Sequence, residues 1–79
     1  MQMGDEHLVK MVNEIAAFFH AASDDPASDV AAHLKRFWNP RMRQRIVEYV
    51  RGDGAGLTPL ARAAVELLEE QAKPVRENP

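Results

Sequence analysis

Three cap-and-proline pairs divide this 79-residue chain into helical segments: Asp25-Pro26, Asn39-Pro40 and Thr58-Pro59. An Asp, Asn or Thr side chain can cap a helix, and proline suits the first helical turn, where its missing N–H is not needed. Between the pairs, apolar residues recur with the i, i+3, i+4 spacing of one helix face. The pattern predicts four helices, over about 6–22, 26–38, 40–51 and 59–72.

The predicted fold is therefore all-α, a compact array of four short helices joined by short loops. Asp5 is placed to cap the first helix. The glycines between 52 and 56 predict a plain loop between helices, since no strand precedes them and no Lys-Ser/Thr pair follows, as a phosphate-binding loop would need. We expect one helical domain over 5–72 and a disordered tail over 73–79.

The apolar faces of the predicted helices indicate which residues form the core. They also contain more apolar residues than the core needs to bury. The first helix carries a face that covers about half of its circumference, more than a core contact needs, so we expect part of it to face a partner. The face consists of Leu8, Met11, Val12, Ile15, Phe18, Phe19 and Ala22, and Val9 and Ala16 widen it to this extent. The fourth helix is predicted to bury Leu60, Ala64, Leu67 and Leu68. In each aromatic pair, Phe18-Phe19 and Phe37-Trp38, one ring is expected at the edge of the core.

The residue inventory offers no catalytic, cofactor-binding or metal-binding constellation. Cysteine is absent, and His7, His20 and His33 lie on different predicted helices without ligand spacing. No segment has the length and apolarity of a membrane span or a signal peptide. We expect a cytoplasmic protein that has no active site, metal or cofactor of its own.

Charge is concentrated between Lys35 and Arg51, which hold six cations against the single acid Glu48, although the whole chain has a formal net charge of −2. Arg43 lies within the apolar arc of its helix, so it is expected to meet a carboxylate or several carbonyl oxygens, within the chain or across an interface. Arg41 and Arg45 are expected on the opposite, solvated side. The predicted partner-binding residues are Phe37, Trp38, Arg41, Met42, Arg43 and Arg45.

Three stretches carry a resemblance to a known family. They are the run 8–15 leading into Phe18-Phe19, the run Arg36-Phe37-Trp38-Asn39-Pro40-Arg41-Met42-Arg43, and the run 56–60. Over roughly residues 7–68 the chain resembles the delta subunit of soluble, NAD-dependent, molybdenum-containing formate dehydrogenases. The middle run is the specific one. Asp is more frequent in the family where this chain has Asn39, and both residues cap a helix.

The resemblance implies an accessory role in a complex that oxidises formate to carbon dioxide and reduces NAD. The large alpha subunit would hold the molybdenum cofactor and iron-sulfur clusters, the beta subunit FMN and the NAD site, and the gamma subunit further iron-sulfur clusters. The delta subunit would carry no cofactor, and would assemble or stabilise the complex or act as a transient assembly factor. The alternative is a small helical nucleic-acid-binding module that uses the basic stretch from Lys35 to Arg51, which the acidic net charge disfavours.

Overall fold

Proline occupies the first position of three of the four helices, as the sequence predicts. The computed structural model describes residues 3–72, which contain four α-helices and no strand. The helices are α1 (Met3–Ala22), α2 (Pro26–Phe37), α3 (Pro40–Gly52) and α4 (Pro59–Ala72). The predicted all-α fold is confirmed. The predicted disorder of 73–79 lies outside the described residues.

Two of the predicted caps are present as side-chain hydrogen bonds. The Asn39 side chain accepts a hydrogen bond from the backbone N of Met42 at 2.9 Å. The Thr58 hydroxyl accepts one from the backbone N of Ala61 at 3.2 Å. Each bond satisfies one of the N–H groups that a helix start leaves without an intrahelical partner. The boundaries before α3 and α4 are therefore encoded locally.

The other two predicted caps are wrong. Asp25 occupies the N-cap position of α2 but makes no side-chain capping bond. Ser23 organises this turn instead, because its hydroxyl accepts from the backbone N of Asp25 at 3.0 Å and donates to the Asp29 carboxylate. Asp5 does not cap α1, because that helix already begins at Met3. Its carboxylate instead forms an ion pair with Arg45 of α3.

The core lies where all four helices meet, and α2 packs most extensively against α4. Small residues on these two helices, Ala31, Ala61 and Ala64, are fully buried and allow the helix axes to approach closely. No polar or charged residue is buried among those the structure describes. The buried set is Leu8, Val12, Ala16, Val30, Ala31, Leu34, Trp38, Ile46, Val50, Ala61, Ala64, Val65 and Leu68.

The face that α4 buries differs from the predicted one. Ala61 and Val65 are fully buried, whereas Leu60 and Leu67 are only partly buried and pack against the edge of the core. At 3.6 residues per turn, the observed face is rotated by about 60° from the predicted one. The prediction placed the centre of the buried face at the large leucines. The close contact with α2 instead requires small side chains at that centre.

The loop between α3 and α4 is held by hydrogen bonds from two helices outside it. The Asn13 side chain of α1 donates to the carbonyl of Gly56 at 2.9 Å and accepts from the backbone N of Thr58 at 3.0 Å. The Tyr49 hydroxyl of α3 donates to the carbonyl of Ala55 at 2.8 Å. One amide side chain thus satisfies two backbone groups of the loop. The predicted loop between two helices is confirmed, and these hydrogen bonds give it a defined conformation.

Besides Gly56, whose φ is 88°, this loop contains a second glycine with a positive φ, Gly54. Its φ of 66° lies in the left-handed region, and its N–H donates to the Tyr49 carbonyl at 2.9 Å. A Cβ on Gly54 would overlap the guanidinium of Arg62, whereas a Cβ on Gly52 would meet no atom within 4 Å. The positive φ therefore favours glycine at position 54, whereas the Arg62 guanidinium, as the end of a flexible side chain, can move aside for a Cβ.

Truncating a core leucine tests this packing. Leu34 has no exposed surface, so Leu34→Ala is expected to lower the free energy of unfolding by about 2 to 5 kcal/mol, comparable to the total stability of a small domain. Leu67 is partly exposed, so Leu67→Ala should cost roughly 1 to 2 kcal/mol. Chemical denaturation followed by circular dichroism measures both. Equal losses would contradict the observed face of α4.

Two glycine substitutions test the loop. Gly54→Ala is expected to destabilise the chain by about 1 to 2 kcal/mol, because alanine is strained at positive φ. Gly52→Ala is the matched control, and it should be neutral or stabilising by up to about 1 kcal/mol because Gly52 is helical and unobstructed. Thermal melts of the two variants should shift in opposite directions or differ clearly. Equal melting temperatures would show that the loop conformation is not required.

Candidate partner-binding surface

The corner between α2 and α3 separates two adjacent aromatic side chains. Phe37 ends α2 and is 68% exposed, whereas Trp38 is 4% exposed and belongs to the core. Trp38 has extended backbone angles, and the following Asn39-Pro40 pair starts α3. In extended backbone, neighbouring side chains point to opposite sides. The corner therefore places the indole inside the protein and the phenyl ring on its surface.

Arg43 fixes this corner from α3. Its Nη1 atom donates to the carbonyl of Lys35 at 3.1 Å and to the carbonyl of Trp38. These oxygens lie at the C-terminal end of α2, where carbonyls lack intrahelical donors and the helix dipole favours a cation. The prediction that Arg43 meets several carbonyl oxygens is confirmed, and these oxygens belong to the same chain. Arg43 thus acts here as a cap for a neighbouring helix.

Arg41 and Arg45 do not share one solvated face, contrary to the sequence prediction. Arg41 is exposed, and Met42 beside it is partly buried. Arg45 Nη2 lies 2.9 Å from Oδ1 of Asp5, with side-chain exposures of 41% and 27% respectively. Packing of α1 against α3 brings this cation to the first turn of α1, a contact that periodicity within α3 cannot reveal. Whether any of the six predicted residues binds a partner stays a prediction.

Aromatic rings from α1 and α2 form a continuous row on the surface. The Phe18 and Phe19 centroids lie 5.1 Å apart, Phe19 and His33 6.1 Å, and His33 and Phe37 4.7 Å. Phe18 is 65% exposed while Phe19 is partly buried. The expectation that one ring of each aromatic pair lies at the edge of the core is confirmed. Arg36 lies over the outer ring, with its Cζ 5.9 Å from the Phe37 centroid.

This row borders an open depression that we name the aromatic groove. Most of its lining is apolar, and only one residue, Glu14, carries a carboxylate. One wall comes from α1 and the other from α2 and the start of α3. The lining residues are Met11, Glu14, Ile15, Phe18, Phe19, His33, Phe37, Trp38 and Met42. Of the six predicted partner-binding residues, the groove brings together Phe37, Trp38 and Met42.

A second depression lies between the end of α2, α3 and α4, and its cations are largely satisfied by the chain. Arg51 forms an ion pair with Glu69, Nη2 to Oε2 at 2.6 Å. Lys35 Nζ donates to the side chain of Gln71 at 3.3 Å, and Arg43 is bound to carbonyls. The basic stretch of the sequence is therefore not a row of free cations. Its charges point in several directions and mostly serve internal contacts.

The described helices present no grouping of metal-ligand side chains. Residues 3–72 contain no cluster of three or more His, Cys, Asp or Glu side chains that could hold a metal ion. His7 and His20 are exposed, and His33 is packed between rings. None of the helices in that range combines the length and apolarity needed to cross a bilayer.

Sequence reasoning missed Phe18, Phe19 and His33 as members of the candidate surface. The signal was present in the excess width of the apolar face of the first helix, which predicted a partner contact without identifying the residues. His33 gave no signal of its own, because a single histidine does not show which rings it will contact. Only the packing of α1 on α2 joins these side chains to Phe37.

Comparison with known proteins gives one match. A sequence model of the family described as "NADH-dependant formate dehydrogenase delta subunit FdsD" matches residues 7–65. The matched range includes Phe18, the α2–α3 corner and the glycine loop. A search of curated proteins and a search of solved structures return no match.

Replacing Arg43 tests the capping contact. Arg43→Ala is expected to lower the free energy of unfolding of the isolated chain by about 1 to 3 kcal/mol, because two carbonyls at the end of α2 lose a charged donor. Arg43→Lys should lie between Ala and wild type, since an ammonium lacks the planar fork of Arg. Arg41→Ala is the matched control and should change stability little. A wild-type melt for Arg43→Ala would show that the contact is dispensable.

Proposed function

This chain belongs to the delta-subunit family of NADH-dependent formate dehydrogenase, and from that premise we propose that it is a non-catalytic accessory subunit. It binds the large, molybdenum-containing alpha subunit within a complex that also contains beta and gamma subunits. Its role is to assemble or stabilise the complex that oxidises formate and reduces NAD. The molybdenum cofactor, iron-sulfur clusters and FMN belong to the partner subunits, and the predicted location is the cytoplasm.

The single observation that carries the proposal is the exposed aromatic row. Phe18 and Phe37 are 65% and 68% exposed in a chain that buries its other large apolar side chains wholly or partly within the described range. Burying one such ring is worth about 1.5 to 3 kcal/mol, which the isolated chain does not gain. Contiguous apolar surface on a small protein marks an interaction site, and aromatic residues are enriched at the centres of interfaces.

The residue chemistry supports a non-catalytic role. The sequence has no cysteine for a cluster or a thiolate nucleophile. Its two serines, Ser23 and Ser28, lie at the start of α2, and Ser23 is engaged in the turn. The charged side chains that contact one another, such as Arg45 with Asp5, link helices at the surface. In this proposal these polar side chains have a structural role, and none of them takes part in a chemical reaction.

The alternative, a nucleic-acid-binding module, is weaker. Such modules combine phosphate contacts along a basic face, and their affinity depends on the number of cations available. Here Arg43, Arg45 and Arg51 are bound to carbonyls, Asp5 and Glu69 respectively. A protein surface with apolar anchors fits the exposed rings better than a phosphate backbone does.

Polar replacement of the exposed rings tests the proposal. The tagged double variant Phe18→Ser/Phe37→Ser is expected to melt like wild type, because neither ring is buried, yet to lose the other subunits on purification from the native host. Glu66→Ser, an exposed residue of α4 outside both depressions, is the control and should retain them. Retention of alpha, beta and gamma by the double variant at wild-type stoichiometry would contradict the proposed surface.

Omitting the chain tests the accessory role. Cells that produce the other subunits alone are expected to give less assembled complex, or complex that loses formate-dependent NAD reduction faster on warming. Adding back wild-type chain should restore this, whereas the double variant should not. Normal yield and lifetime without the chain would contradict an assembling or stabilising function.

A further inference from the structure

The occupant of the aromatic groove must match its apolar lining. Phe18 and Phe37 stand at its edges, and Met11 and Met42 contribute flexible, polarizable side chains. The depression is open to solvent, and its volume of about 610 Å³ accommodates several side chains. An open groove of this kind suits a segment of protein chain with apolar anchors.

The charges at the rim of the groove are unequal on its two sides. Arg36 and Arg41 are exposed, and neither forms an ion pair within residues 3–72. Arg36 lies over the Phe37 ring, and Arg41 is an exposed residue in the first turn of α3, the helix that contributes Met42 to the lining. The α1 wall instead carries Glu14. Positive charge thus lies beside the α2–α3 wall and negative charge beside α1.

Most cations of the basic stretch are bound within the chain, so few of them remain available to a partner. Arg43 binds the end of α2, and Arg51 is paired with Glu69. Arg36 and Arg41 are the arginines of residues 35–51 that contact no carboxylate or carbonyl among the described residues. An exposed arginine over an aromatic ring is well placed for a bidentate contact with a carboxylate, because the ring orients the guanidinium plane.

We infer that the aromatic groove holds an amphipathic segment of the partner subunit whose carboxylates pair with Arg36 and Arg41. Apolar side chains of this segment contact Phe18, Phe37 and Met42. Its acidic residues lie on the α2–α3 side, away from Glu14, so the charges also fix the direction in which it binds. This inference rests on the proposed function, because the occupant is taken to be part of the formate dehydrogenase complex.

Charge reversal separates this inference from the proposed function. The double variant Arg36→Glu/Arg41→Glu is expected to bind the purified complex that lacks this chain on the order of tenfold to a hundredfold more weakly at low salt. The difference should shrink at high salt, where exposed charges are screened. The control Lys10→Glu reverses one exposed charge on α1, on the opposite side of the groove from α2 and α3. It is compared with the single variant Arg36→Glu, and it should bind like wild type.

Two results at this step have distinct meanings. If the charge-reversed variant binds like wild type while Phe18→Ser/Phe37→Ser does not bind, the inference is overturned and the proposed surface stands. If both variants bind like wild type, the proposed surface fails as well. Thermal melts of each variant verify that the fold is intact before binding is measured.

A cross-linking experiment identifies the contacted groups directly. In the variant Arg36→Lys/Arg41→Lys, each new amine can be coupled by a carbodiimide to a carboxylate in direct contact. We expect mass spectrometry to find residues 36 and 41 joined to Asp or Glu of a partner subunit. Absence of these cross-links, self-association of the free chain through Phe18 and Phe37, or a DNA complex lost on charge reversal would each overturn the inference.

Discussion

The contact between Arg43 and the end of α2 is the interaction on which the rest of this small fold depends. It joins two helices at the point where the chain changes direction, and it gives a charged donor to two carbonyls at the end of α2. With this corner fixed, Trp38 enters the core and α3 can pack against α1 and α4. The same corner leaves Phe37 outside. One junction thus determines both the burial of Trp38 in the core and the exposure of Phe37 on the surface.

The polar contacts elsewhere fix how helices and loops meet at the surface, because the core itself is entirely apolar within the described residues. Asn13 joins α1 to the glycine loop, Arg45 joins α3 to α1, and Arg51 joins α3 to α4. Each exposed ion pair contributes little free energy, about 0 to 1 kcal/mol. These contacts contribute mainly to specificity, because they favour one arrangement of the four helices. Packing of small apolar residues alone would allow several arrangements.

Local signals predicted most of the fold. The pairs Asn39-Pro40 and Thr58-Pro59 mark true helix starts, because capping depends only on neighbouring residues. The wrong predictions concern side chains that could make either of two contacts, and the sequence alone does not show which contact is the more stable. Asp5 could cap α1 or meet Arg45, and α4 could bury Leu67 or Val65. Tertiary packing chose the second option in both cases.

The candidate surface was predictable only in part, for the same reason. Periodicity identified an apolar excess on the first helix and an unusual arginine at position 43. It could not show that Phe18 and Phe37, on different helices, lie along one row, because His33 and Phe19 join them only after α1 packs on α2.

The exposed row also gives the proposed accessory role a physical basis. A domain of this size buries only about 60% of the surface that its unfolded chain exposes, so its stability in isolation is small. Binding that covers Phe18 and Phe37 adds free energy to the folded state alone, by mass action. Arg43 binds the backbone on both sides of Phe37, at the Lys35 and Trp38 carbonyls, within the chain. The exposed ring is therefore presented before binding, and less ordering is required on association with the proposed partner. In the proposed complex, the α2–α3 corner therefore couples folding to association.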